Sequence, residues 1–448
     1  MLQPLSETLV EEGPQEPKYG KTYPIEAPVD LQDLNLFANH GQPYEAFATL
    51  RDKAPVYWHP DEQFGGFWVV TRYEDIKKVS LTPKTFSSGK GGILINYGSK
   101  EMRDQRLFRA NVDNMIAMDN PEHMELRTQH MPYFKPSFVN ELHKKVQVKA
   151  GQLLDNIAPM GECDLVENLS AELPLFTLSE MLGIPEGDRP KFIRWMRYLE
   201  MAQNIATKIE NGKEASEEDF KFFGEFLEMN KEMFEYGYDM LIRRRKEPTD
   251  DLLSAIANAT VDGELLPDEY LDGSWILIVF AGNDTTRNSL SGTMKLLTEN
   301  PEQKEKVLAD FDLLPNMVEE AIRMVTPVIH MRRTATEDAE VRGQKIAEGE
   351  KVVMWYGSAN RDPEVFANPD TFDVTRANAS KHLAFGIGTH VCIGNRIAKM
   401  QLQEVYRQIL TRFPDMEYAG GMEIAPNNFV NAISRLPVKF KPQKRSAA

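Results

Sequence analysis

Cysteine is almost absent from this chain: there are two in 448 residues, Cys163 and Cys392. Two thiols so far apart build no disulfide framework, and their scarcity fits a reducing compartment. No window of ~18 uncharged apolar residues occurs, so no helical segment is expected to span a bilayer. The first 24 residues carry Glu7, Glu11, Glu12 and Glu16 and no apolar run, which speaks against a signal peptide or membrane anchor. A positive balance is missing as well: 68 acidic against 52 basic residues leave −16, with a pI near 5.1. Nucleic acid and anionic membranes need clustered positive charge, so both are set aside as partners. No internal repeat or low-complexity tract is found. These absences describe an acidic, soluble, cytoplasmic protein, expected to be a monomer.

What is present is mostly helical pattern. Apolar residues recur near every 3.6 positions in 140–158, 175–182, 189–212, 216–245, 249–259 and 267–299, and two more helices fit 302–324. Before these, 44–51 reads as a short helix, 56–59 and 66–71 as a hairpin, and 73–80 as a further helix. Residues 83–117 show no clear period and read as one long loop, a kind of segment that is often functional. Small strands are expected over 332–353, a coil over 360–381, a helix from Asn395 to Thr411, and short strands at the end. The fold class is therefore mainly α with a minor β portion. Residues 1–30 read as an extended lead-in and 31–448 as a single domain without a linker.

Four stretches carry chemistry. Phe385 to Gly394, F-G-I-G-T-H-V-C-I-G, places Cys392 among three glycines and just before a helix. Glycine permits tight turns and close approach of a flat ligand, and a helix N-terminus favours an anionic sulfur. Haem iron held by thiolate is the natural partner for such a loop; a small buried cysteine is the bland alternative. Ala281 to Thr286, A-G-N-D-T-T, lies in the longest helix, where small Ala281 and Gly282 would let a cofactor lie close. Asp284 and Thr285 could relay protons, although a helical threonine often only bonds back to a carbonyl one turn earlier. Glu320 and Arg323 share a helix face, and read alone they are a solvated pair worth ~0.3–0.5 kcal/mol. The irregular stretch from Ala359 to Arg376 could wrap back onto that pair. His123 and Arg127, one helical turn apart, with Arg333 and His390, are the basic residues that haem propionates would need.

In this order and at these separations, the four stretches resemble the signatures of the cytochrome P-450 family over nearly the whole chain. The resemblance implies a triangular helical prism around a buried haem b, with Cys392 as iron ligand. His123, Arg127, Arg333 and His390 fall where the family binds propionates; His390 stands where many members have Arg. Ala281, Gly282, Phe385 and Gly394 fall against the haem, Asp284 and Thr285 at the proton-delivery pair, and Glu320 and Arg323 at the pair that locks the core. The activity implied is insertion of one oxygen atom from O2 into a substrate C–H bond. The family's membrane-anchored and reductase-fused members have segments missing here. The chain resembles the soluble bacterial class, which draws electrons from a separate ferredoxin. Arg396, Lys399, Arg407, Lys144 and Lys145 would give that donor a locally basic face.

The substrate pocket implied by the same analogy includes Ile95, Phe280, Val328, Ile329, Phe429 and Val430. His330 and Asn427 are among its polar candidates. An apolar terpenoid, alkyl or steroid-like substrate is the first expectation. O-demethylation of a methyl ether would use the same machinery. A haem-thiolate sensor without turnover, or a peroxide-using enzyme, would have no need of Asp284 and Thr285.

Overall fold

The computed structural model describes residues 2–8, 16–26, 28–61, 65–94, 105–196, 198 and 216–445. Its axis is the 32-residue helix Asp268–Glu299, called the central helix below. Pro267 precedes it, acidic Asp268 and Glu269 sit in its first turn where the helix dipole favours them, and Asn300 ends it before Pro301 starts the next helix. Eighteen of its residues are buried, the apolar ones toward its first half and many small polar ones, such as Ser289, Ser291 and Thr293, toward its second. Helix Glu172–Leu182, the long helix Glu217–Lys246, helix Leu314–Val325 and the C-terminal helix Asn395–Arg412 pack around it.

The largest part of the expected β portion is a five-stranded sheet, while the strands at the end of the chain and the hairpin at 339–346 form smaller sheets of their own. The strands of the five-stranded sheet are β1 (Val56–His59), β2 (Phe67–Val70), β3 (Phe86–Ser87), β4 (His330–Ala335) and β5 (Lys351–Trp355), in the order β1-β2-β5-β4-β3. All pairs are antiparallel except β2 with β5. Both faces are covered. Val56, Trp58, Trp68, Val70, Val352 and Met354 enter one apolar cluster, whereas Tyr57, Phe67, Val69, Val353 and Trp355 enter another. A two-sided sheet needs the unbroken apolar runs V-Y-W and F-W-V-V rather than alternation.

Three expectations change. Residues 83–117 are not one loop: they contain β3, helix Arg106–Val112 and a 3-10 turn at Met115–Ala117. That helix docks so closely on the central helix that a Cβ on Gly273 would lie 1.8 Å from the Asp113 carbonyl oxygen. The helix read over 249–259 is shorter, Leu252–Ala257, because Asp251 caps it by accepting from Ser254 N–H. The helix expected over 189–212 runs into residues outside the described set. The coil over 360–381 is as read, with only a 3-10 turn at its end. Residues 2–8 and 16–26 lie against the body: Ser6 N–H donates to Asp113 and Lys18 N–H to Glu350. No helix among the described residues is long and apolar enough to cross a membrane.

Candidate active site

The cysteine loop is shaped by its glycines. Gly386 and Gly388 have φ of 66° and 79°, and a Cβ on Gly388 would also sit 2.9 Å from the Ser80 carbonyl oxygen. Cys392 N–H donates to the Phe385 carbonyl at 2.8 Å, closing the loop. Asn395 Nδ2 donates to the Cys392 carbonyl at 2.7 Å, tying the loop to the helix that follows. Burial raises the Cys392 thiol above the ordinary range, while the Gly394 N–H, Arg127 and Lys399 favour its anion. The thiolate expected at the helix start thus has its donors in place, and burial outweighs them.

Residues 385–395 are all only partly buried, although Phe385, Ile387, Val391 and Ile393 are apolar. The central helix has a matching opening. From Thr286 to Met294 every side chain is buried, yet Ala281 is exposed and Leu277, Ile278, Asp284 and Thr285 are half-open. Positions 277, 281 and 285 are one turn apart, so the opening is a stripe on one side. Gly282, next to Ala281, is itself half-buried. A Cβ there would meet Leu178 at 3.3 Å, so this glycine lets helix Glu172–Leu182 pack close. Thr285 Oγ1 donates to the Ala281 carbonyl at 2.9 Å. Asp284 accepts from Asn283 Nδ2 at 3.2 Å and lies 3.7 Å from Arg287.

The basic residues come together, but not uniformly. The rings of His123 and His390 lie 4.0 Å apart, centre to centre. Burial, reinforced by Arg127 and Arg333, lowers His123 to about 4. Burial, then Arg333 and His123, lowers His390 to about 2. Both imidazoles are therefore neutral near pH 7, and buried His123 Nδ1 has no partner. Arg333 is buried and donates to the Arg332 carbonyl at 2.6 Å. Arg127 Nη2 is turned toward the loop and donates to the Val391 carbonyl at 2.7 Å. Neither guanidinium pairs with a carboxylate among the described residues. A buried cation left so costs several kcal/mol. The residues thus fit a flat, apolar group that brings two carboxylates, as haem does.

Glu320 and Arg323 are fully buried and not the solvated pair their sequence alone suggests. Glu320 accepts from Arg323 Nε and Nη2 at 2.7 and 2.8 Å and from Arg376 Nε at 2.9 Å. Arg323 Nη1 donates on to the carbonyls of Asn360 and Pro369, so the irregular stretch does wrap onto the pair.

The pocket candidates divide. Val328 and Val430 form a β-bridge, and they and Phe429 are half-open. Ile329 is not with them: it is fully buried in the cluster of Phe37, Phe47 and Trp355 on the far side of the sheet. Phe280 is half-buried against the main core, and Ile95 lies outside the described residues. His330 is buried against Trp355 and Phe429, its Nδ1 2.9 Å from the Asn428 carbonyl. The basic face is largely spent: Lys144 pairs with Glu141, Lys145 with Glu180 and Lys399 with Glu319. Arg407 lies over Phe311, and Arg396 is exposed. Glu319 and His382, both beside the loop, escaped the sequence reading because no motif marks them.

A half-open cysteine loop with two guanidiniums beside it, in a fold whose central helix carries a half-open stripe, fits a metal-bearing macrocycle. Comparison with known proteins places it further. The cytochrome P450 family profile matches residues 189–442. The linalool 8-monooxygenase of Pseudomonas putida is 36% identical, covering 92% of this chain and 99% of that protein. A methyl-branched lipid omega-hydroxylase of Mycobacterium bovis is 34% identical over 94% of this chain and 97% of that one. A Mycobacterium marinum cytochrome P450 solved in complex with pseudoionone superposes with a TM-score of 0.82 at 35% identity, covering 94% of this chain and 99% of its own. The chain belongs to the cytochrome P450 family and is a monooxygenase; the family implies a haem cofactor.

Proposed function

We propose that this chain holds haem b through Cys392 and hydroxylates an apolar terpenoid or alkyl substrate, with electrons from a separate ferredoxin. The observation that carries the reading is the pair of guanidiniums without carboxylates, Arg127 and Arg333, beside a half-open apolar cysteine loop. When bound, haem supplies the iron at which O2 is activated. The protein's part is to orient, exclude water and move protons. The Gly394 N–H and the Arg127 and Lys399 charges hold the anion on Cys392. His123, Arg127, Arg333 and His390 would take the two carboxylates. Thr285 Oγ1 donates to the Ala281 carbonyl, which leaves its lone pairs to accept from a water and hold it in place, so that a proton would move inward along water with the Asp284 carboxyl group beside it.

The substrate class rests on two supports. The half-open surface around the stripe and the terminal loop carries the apolar Leu277, Ile278, Val328, Phe429 and Val430 beside the polar Asp284, Thr285, Asn427 and Asn428. Relatives of similar length are named for linalool and a methyl-branched lipid, and a neighbour binds pseudoionone. A spectral titration with acyclic terpene alcohols, alkanes, steroids and methylated sugars tests it. A low-to-high-spin shift is expected with terpenoids or alkanes; a shift confined to methyl ethers would replace hydroxylation by O-demethylation. In the same protein Thr285→Ala should uncouple electron use from product, whereas unchanged coupling would remove Thr285 from the relay.

A further inference from the structure

Beneath the cysteine loop lies a charged cluster with no counterpart in the motifs. Glu319 sits on helix Leu314–Val325, one residue before the buried Glu320. Its two carboxylate oxygens are divided: Oε1 accepts from Lys399 Nζ at 2.6 Å, and Oε2 lies 3.1 Å from His382 Nε2. His382 is buried, and its Nδ1 accepts from the Ala384 N–H at 3.2 Å. This fixes the tautomer, since Nδ1 carries a lone pair and Nε2 the proton that goes to Glu319. Lys399 Nζ also stands 5.4 Å from the centre of the Phe385 ring, within cation–π range. His382 lies 5.5 Å from the same ring. Phe385 is the residue whose carbonyl receives the Cys392 N–H. Two elements therefore meet on one aromatic ring at the root of the loop, the chain entering the loop through His382 and the helix leaving it through Lys399, and Glu319 ties both to its own helix.

We propose that Lys399, held against Phe385 by Glu319 and His382, is a positioning residue that sets the reduction potential of the thiolate-bound iron. The inference rests on Cys392 being the iron ligand. Its physical content is electrostatic. Reduction adds one negative charge to the iron–thiolate unit. A cation fixed nearby on the protein side stabilises the reduced form and raises the potential, and a carboxylate opposes it. Lys399 is only about a quarter exposed and Glu319 less, so solvent screens this field less than that of the outer ion pairs, such as Lys144 with Glu141. A lysine free in solvent would average its charge over many positions. This one is held by an ion pair and a ring, so its field at the loop has a fixed sign and place.

The test is a spectroelectrochemical titration of the substrate-free holoenzyme. Lys399→Met should shift the midpoint to more negative values by more than the reproducibility of the titration, and Lys399→Arg should return it to the wild-type value. Glu319→Gln removes the opposing charge while the ring still holds the ammonium, and should shift the midpoint the other way. A merely structural role would lower thermal stability in both variants without moving the potential in opposite directions. An unchanged midpoint in Lys399→Met, or shifts of the same sign in Lys399→Met and Glu319→Gln, overturns the proposal. The absorption spectrum of the reduced, CO-bound wild type separates this failure from that of the underlying reading. A thiolate Soret band with unmoved potentials rejects only the role of Lys399, whereas its absence rejects Cys392 as ligand.

Discussion

Replacing Glu320 by Gln keeps the shape of the side chain and deletes one charge at the point where the molecule is most tightly knotted. In the native protein this fully buried carboxylate accepts four hydrogen bonds: two from Arg323, one from Arg376 Nε, and one from the Asp373 N–H at 3.1 Å. The substitution leaves two buried guanidiniums with no counter-ion. Breaking a buried pair from one side costs about 3–5 kcal/mol, because the remaining charge is desolvated and unpaired. A simple buried ion pair can often be replaced on both sides by apolar residues at little cost. That should fail here. Arg323 Nη1 also serves the carbonyls of Asn360 and Pro369 at 2.8 and 2.7 Å, and each loses its donor in a Glu320→Gln/Arg323→Met double variant, at about 1–3 kcal/mol apiece. Urea unfolding followed by far-ultraviolet circular dichroism and by loss of the Soret band measures both variants, provided the denaturant slope is unchanged. Glu320→Gln within about 1 kcal/mol of wild type, or a double variant as stable as wild type, would refute this account.

Arg333→Met should act with opposite sign on the two forms of the protein. Without haem it removes an unpaired buried cation and should stabilise the fold by about 1–4 kcal/mol; with haem it should speed loss of the group to an excess of apomyoglobin. Retention unchanged together with a weaker apo form would contradict the propionate assignment. His130 supplies a pH test away from the site. It is buried, its Nε2 has no partner, and burial lowers it to about 4. The unfolded chain binds its proton near pH 6.5 and the folded one only near 4, so stability falls as pH drops through that window, by on the order of 3 kcal/mol from this residue. His130→Met should flatten the dependence of unfolding free energy on pH there by about one proton, and an unaltered slope would show that His130 is not neutral in the fold.

How much of this was legible depended on whether a residue's task is local. The cysteine loop was readable because its glycines, cysteine and following helix are contiguous, and all the relevant backbone bonds close within about a dozen residues. The long helices were readable because burial repeats at the helical period. The helix Arg106–Val112 was not: its seven residues have no side-chain cap and are held by docking on Gly273 of a distant helix. Gly282 was only partly readable for a related reason, since a small residue in a helix marks close approach without saying from which side. Ile329 went astray because adjacent residues at the start of a strand face opposite ways. The expected basic face is partly neutralised by partners the sequence does not place: Glu141 is near in sequence to Lys144, but Glu180 and Glu319 reach Lys145 and Lys399 only in the fold.

That last point bears on the cofactor. A chain of net charge −16 has carboxylates in excess, so two half-buried or buried guanidiniums without one cannot be explained by shortage. The nearby acids are already committed. Glu319 serves Lys399 and His382, and Glu320 serves Arg323 and Arg376. Asp119 is held by the Ser87 hydroxyl and the Ser88 N–H. Asp362 accepts from Arg72 and from the Tyr73 N–H. Each of these four acids has partners that would be left unsatisfied if it moved to Arg127 or Arg333. A bound group carrying two carboxylates on a flat, apolar body would supply the counter-charge that Arg127 and Arg333 lack among the described residues, beside a half-open loop and two neutral imidazoles. That fit is read from charges and burial without the cysteine, and it agrees with the haem cofactor that the family implies.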